Sequence, residues 1–184
     1  MAAIIVIVIV VLIALVFVAG YNGLVRLRNR IDSAWSQIGV QLERRHDLIP
    51  NLIETVKGYA AHEKSTLEGV VEARNAAIQA KNSGPEQQAQ AENVLTGALK
   101  SLFALAEAYP DLKANQSFLS LQEELTATED RIAYARQFYN DSVMKYDNKI
   151  QSIPSNVIAG MFNFKPREYF QAEQGATEVP KVEF

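Results

Sequence analysis

Apolar residues are arranged along this chain in two ways. From Ala2 to Ala19 they are continuous, and "AAIIVIVIVVLIALVFVA" contains no polar side chain. Beyond Gly20 they recur at steps of three and four. Leu24, Leu27, Ile31, Trp35, Ile38 and Leu42 form one stripe, with Ile49 a heptad after Leu42. Leu52, Ile53, Val56, Ala60, Leu67, Val70 and Val71 carry it on, and polar residues such as Glu43, Arg44, Asp47, Asn51 and Glu54 take the other positions. This period predicts helices packed along one face. The first clear loop is "KNSGPEQ", Lys81 to Gln87, where Pro85 suits the first turn of a new helix. A third stripe runs Ala91, Val94, Leu95, Ala98, Leu102 and Leu105 until Pro110 interrupts it. The longest pattern spans Ser117 to Ile150, through Leu121, Leu125, Thr128, Ile132, Ala135, Tyr139, Val143 and Tyr146. Pro154 stops it, and a short helix follows to near Phe162. The expected class is all-α: an amino-terminal membrane helix, then an antiparallel bundle of long helices with coiled-coil-like periodicity.

The continuous run predicts a bilayer span. Eighteen residues reach about 27 Å as a helix, close to a hydrocarbon core of about 30 Å. A lone segment in lipid must be helical to satisfy its own backbone. Gly20, Tyr21 and Asn22 then mark the interface, with Tyr21 as an aromatic anchor. A cleaved signal peptide is the competing reading. It fits poorly, because a basic n-region is missing and Phe17 is large for the position it would occupy before a cleavage site. The expected partner of residues 2–19 is therefore the lipid bilayer, crossed once. Arg26, Arg28 and Arg30 follow the span, so the positive-inside rule places the following domain in the cytoplasm. The periplasmic or extracytoplasmic side is the alternative.

Charge and composition narrow the chemistry. The net charge is −3, without the basic footprint of a nucleic-acid binder. There are no cysteines, which excludes disulfides, thiolate metal sites, a cysteine nucleophile and acylation of a lipoprotein cysteine. His46 and His62 are sixteen residues apart. On one helix they would stand about 160° and about 24 Å apart, too far to share a metal. "HEKST" at His62 lacks the second histidine of a zincin motif. Both histidines therefore read as exposed helix residues. Glu123-Glu124 and Glu129-Asp130 read as a solvated helix face. The glycines are scattered, with no phosphate-binding loop and no nucleophile elbow. The sequence offers no catalytic, cofactor-binding or metal-binding residues, and no cofactor.

Two features remain. Arg45 lies between Leu42 and Ile49, on the apolar stripe, and an arginine buried there needs a carboxylate. Glu124, Glu129 and Asp130 are the candidate partners; snorkelling to the rim is the alternative. Phe162, Phe164, Tyr169 and Phe170 crowd nine residues near the carboxy terminus. They read either as a strap over the bundle end or as candidate interaction residues for a neighbouring subunit or the membrane interface. Between Arg44 and Tyr59, "RRHDLIPNLIETVKGY" places Pro50 inside the helical pattern. Proline removes one backbone donor and clashes one turn back, which predicts a kink or irregular turn near His46, with Asp47 capping a helix that restarts at Pro50.

Three stretches resemble the LemA family. "YNGLVRLRNRIDSAWSQIGVQLERRHDLIPNLIETVKGYAAHE" is similar to its amino-terminal signature. "FLSLQEELTATEDRIAYARQFYNDSVMKYDNKIQSIPSNVIAGMFNFKPREYF" is similar to its carboxy-terminal half, and the closing "PKVEF" fits as well. The resemblance implies a LemA-like four-helix bundle anchored in a bacterial inner (cytoplasmic) membrane, no established enzymatic activity and no catalytic residue to carry over. It also implies a link to membrane remodelling, since some members take part in magnetosome formation. Many relatives carry a lipoprotein cysteine just before the Tyr-Asn; here Gly20 stands there. The expected organisation is a signal anchor at 1–20, a helical bundle at 21–162, and an aromatic strap and tail at 163–184. The expected function is a non-enzymatic membrane scaffold that forms homo-oligomers and recruits other membrane proteins. An adaptor or regulator of a membrane protease or sensor is the first alternative, and a hydrolase or metal protein the second.

Overall fold

The computed structural model describes residues 1–170, and every regular element among them is helical. The elements are α1 (Ala2–Lys57), α2 (Lys64–Gln79), a 3₁₀ turn (Ala80–Asn82), α3 (Pro85–Ala106), α4 (Pro110–Lys113), α5 (Gln116–Gln151) and α6 (Ser155–Met161). The tail of the last ten residues, with its closing PKVEF, lies outside the described residues. The chain forms two compact units, and α1 and α5 each contribute residues to both.

The first unit comprises residues 1–37 and 137–168. Leu24, Ile31 and Ala34 of α1 are buried, as are Tyr139, Val143, Tyr146 and Ile150 of α5 and Ile158 and Ala159 of α6. Trp35 meets Tyr139 at 5.4 Å between ring centroids, and Tyr21 meets Phe162 at 4.7 Å. Residue numbers fall along one partner as they rise along the other, so the two runs are antiparallel. α6 ends in a Schellman turn. The Phe164 N–H donates to the Ala159 carbonyl at 2.9 Å and the Asn163 N–H to Gly160 at 3.4 Å. Asn163 takes the left-handed conformation, φ 55°, that such an ending requires and that asparagine tolerates.

The second unit comprises residues 38–136 with Tyr169 and Phe170. Its core gathers Ile49, Leu52, Ile53 and Val56 from α1, Val70, Ala73 and Ala77 from α2, Leu95, Leu99 and Leu102 from α3, Leu112 from α4, and Phe118 and Leu125 from α5. Four longer helices and the one-turn α4 therefore share one apolar interior, the arrangement of a bundle. The ends of α3 and α5 follow local rules. Gly84 precedes Pro85 with φ 99°, a conformation that L side chains rarely adopt. The Asn115 side chain accepts the Phe118 N–H at 3.0 Å, capping α5.

Several sequence expectations are corrected here. α1 is one helix from Ala2 to Lys57, with no restart at Pro50. Proline removes a single rung of the ladder, and the buried residues on both sides, Leu42, Ile49, Leu52, Ile53 and Val56, keep the two halves in one register. Asp47 is therefore mid-helix rather than a cap. The first loop comes earlier than "KNSGPEQ": α1 ends at Lys57 and α2 begins at Lys64. Ala60 stays in the core from within the loop, so its apolar spacing imitates helix continuity. His62 falls in this loop and not on the helix of His46. Val71 and Val94, assigned to stripes, are 40% and 63% exposed. In α3 the buried row is Gln88, Glu92, Leu95, Leu99, Leu102 and Ala106.

Candidate functional site

The second unit holds a cluster of charge in its interior. Arg45 of α1 and Glu92 of α3 are both fully buried. The Arg45 guanidinium donates through Nη2 to Glu92 Oε2 and through Nη1 to Glu129 Oε2 of α5. Nη1 also donates to Thr96 Oγ1 at 3.0 Å. The second Glu92 oxygen faces His46 Nε2 at 3.0 Å, and neither atom has another hydrogen-bond partner. That contact is satisfied only when Nε2 carries the proton, so it selects the Nε2–H form of the imidazole. Burial by itself pushes the Glu92 carboxyl up. The His46 hydrogen bond and the Arg45 charge outweigh burial and hold the carboxyl below its ordinary value.

Pro50 has its own partner in this cluster. A helical residue 50 would donate its N–H to the carbonyl of residue 46. Proline cannot, and the freed His46 carbonyl accepts a 2.7 Å hydrogen bond from Nε of Arg74 on α2. The backbone defect in α1 thus becomes an anchor for the neighbouring helix. Beside it lies a small cleft lined by Gly39, Leu42, His46, Asp47, Arg74 and Gln88.

The predicted partners of Arg45 separate. Glu129 bonds it; Glu124 instead stands 3.7 Å from Arg44 on the surface; Asp130 is exposed. Sequence reasoning missed Glu92, His46 and Arg74. The signal for Glu92 was present. Leu95, Leu99, Leu102 and Ala106 are spaced by four, three and four, and the same row extends back to Glu92 and Gln88. His46 is nearly buried rather than exposed, because it abuts Arg45 on the inner face of α1.

The aromatic group divides between the units. In the first, Phe162 lies 6.0 Å from Phe17 and 4.7 Å from Tyr21, Phe164 lies 5.9 Å from Tyr21, and the Arg28 guanidinium stands 5.6 Å over the Phe164 ring. In the second, Phe170 is fully buried with Arg136 4.7 Å over its face; Tyr169 is exposed. The segment after α6 is held by buried tyrosines of α5. Tyr146 donates to the Lys165 carbonyl at 3.0 Å and Tyr139 to that of Glu168 at 2.9 Å. Burial, partly offset by the Arg167 charge, pushes the Tyr139 phenol up to about 12. Arg167 closes the segment onto α1 through Asp32 at 3.1 Å.

Among the described residues, α1 alone is long and apolar enough to cross a membrane, and its residues 2–19 are exposed apart from a half-buried Phe17. Among the same residues, no three histidine, aspartate or glutamate side chains gather in a way that could hold a metal ion. These features define an all-helical protein with a candidate amino-terminal membrane span and an internally paired charge cluster. The profile of the LemA family matches residues 34–184, and the chain belongs to that family. It is similar to the magnetosome protein MamQ 2 of Paramagnetospirillum magneticum, at 28% identity over 88% of this chain and 68% of that protein. It is also similar to the protein LemA of Metamycoplasma hominis, at 28% identity over 86% of this chain and 72% of that one. The magnetosome protein MamQ of Magnetospirillum gryphiswaldense is 26% identical over 88% and 68%.

Proposed function

We propose that this chain is a membrane-anchored, non-enzymatic scaffold that self-associates on the bacterial inner membrane and takes part in organising or remodelling it. The observation that carries this reading is the exposed apolar stretch 2–19, which continues as the same helix that supplies Arg45 and Ile49 to the bundle interior. An apolar stretch of this length exposed to water would aggregate, and lipid is the solvent that fits it. The charged groups inside the bundle are engaged with one another, which favours a structural use over chemistry on a substrate. The relatives named for magnetosomes support a role at a membrane-bounded structure. The domain faces the cytoplasm in this reading, on the strength of Arg26, Arg28 and Arg30 after the span.

The test is the mass of the particle extracted in mild detergent, measured by light scattering with the detergent subtracted, together with crosslinking in intact membranes. Several copies per particle are expected. A monomer at micromolar concentration overturns self-association, and a one-to-one complex with a different protein returns the adaptor reading. Protease added to sealed inverted and right-side-out vesicles reports the side that the domain faces.

A further inference from the structure

The first unit carries an apolar surface that the span alone does not explain. α6 and the turn before it expose Ile153, Val157, Met161 and Phe162, at 85%, 60%, 67% and 49%. No charged residue occurs between Lys149 and Lys165. This surface lies against the apolar part of α1. Pro154, Val157 and Ile158 share a groove with Leu12, Ile13, Val16 and Phe17. The approach is close at Gly20, where an added Cβ would stand 2.5 Å from Ile158 Cδ1. Leu12 lies seven residues inside Ala19, which is about 10 Å along a helix. α6 therefore sits beside the part of α1 that runs through hydrocarbon.

The contacts along α1 change in the order that a membrane boundary requires. Apolar residues, Phe17 among them, meet α6 and its end from Leu12 to Gly20. Tyr21 then meets Phe162 and Phe164, Arg28 lies over Phe164, and Asp32 pairs with Arg167. Aromatic rings belong at the headgroup level and charges beyond it. Several polar groups in and beside the segment are internally bonded, and Asn156 accepts the Val157 N–H through Oδ1 at 2.9 Å. The Ser152 hydroxyl donates to the Asn148 carbonyl at 2.6 Å, and the Schellman turn at Asn163 closes the end of α6. Such bonding is what lets backbone enter an apolar phase.

We propose that α6 and its flanking turn, residues 153–162, dip into the same membrane leaflet as a second, non-spanning lipid contact. The ligand is the acyl region of the bilayer, reached by Ile153, Val157 and Met161, with Phe162 at the headgroup boundary beside Tyr21. This rests on residues 2–19 being the span, and the experiment separates the two. The chain has no cysteine, so single cysteines report cleanly. Val157→Cys, Met161→Cys, Val10→Cys in the span and Lys145→Cys on the water-exposed side of α5 are nitroxide-labelled. Each full chain is placed in vesicles of phosphatidylcholine and phosphatidylglycerol, and its helical content is checked by circular dichroism.

Labels at 157 and 161 are expected to be relaxed severalfold more by oxygen than by a water-soluble nickel chelate, like the label at 10 and opposite to that at 145. If 157 and 161 behave like 145 while 10 remains lipid-exposed, the dip is overturned and the span stands. If 10 also behaves like 145, the span reading falls and the dip with it. If 157 and 161 are shielded from both relaxants, protein covers the surface, and the proposal is overturned in favour of a second copy of the chain.

Discussion

The guanidinium of Arg45 and the carboxylate of Glu92 are buried against each other, joining α1 to α3 inside the bundle. Two ions in an apolar interior lose most of their hydration, so the pair is stable only because each charge finds the other and further hydrogen bonds. Glu129 and Thr96 complete the guanidinium, and His46 completes the carboxylate. The cluster makes the mutual positions of three helices depend on one set of polar contacts.

Arg45→Met removes one member of the pair and leaves Glu92 buried, with an expected loss of about 3–5 kcal/mol. Arg45→Met with Glu92→Met removes both charges and is expected to be more stable than Arg45→Met alone. Glu129→Gln is milder, at about 1 kcal/mol or less, because the Glu129 side chain is 39% exposed and screened by solvent. Denaturant unfolding of the full chain in detergent measures all three. Strict additivity of the two methionine substitutions would show that Arg45 and Glu92 are not coupled.

Acid titration examines the same carboxylate. The Glu92 carboxyl is lowered from its usual value of 4.5, so the unfolded chain binds its proton more readily than the folded one. Its contribution to stability is complete above about 4.5 and is lost as the pH falls through the lower folded value. Unfolding midpoints between pH 7 and 3 are expected to fall more steeply for the parent protein than for Glu92→Gln. Parallel profiles would contradict this assignment.

Pro50 and Arg74 form a second coupled pair. Arg74→Met leaves the His46 carbonyl without its 2.7 Å partner, at a cost of about 1–3 kcal/mol if the group stays buried. Adding Pro50→Ala supplies a backbone N–H to that carbonyl. The double substitution is expected to recover most of the loss, although Pro50 and Arg74 lie on different helices. An unchanged loss in the double variant would disprove the compensation.

Much of this protein is written locally. The apolar run Ala2 to Ala19, the three-four spacing from Leu24 to Leu42, the helix boundaries marked by Pro85, Pro110 and Pro154, and the long stripe of α5 are short-range features that a linear reading detects. Arg45 is visible for the same reason, as a charge on an apolar row. What the order of residues does not carry is which rows face each other. Glu92 and His46 become partners only when α3 lies against α1, and one carboxylate then outcompetes nearer-looking candidates such as Asp130. Ala60 keeps helical spacing while lying in a loop, because burial and backbone conformation are separate variables. Pro50 reads as a break in one dimension. In three dimensions Arg74 takes up the carbonyl it frees and the core holds both sides of it in register, so the helix continues. Local propensity determined where helices can form; long-range packing and the need to neutralise buried charge decided where they end and which side chains meet.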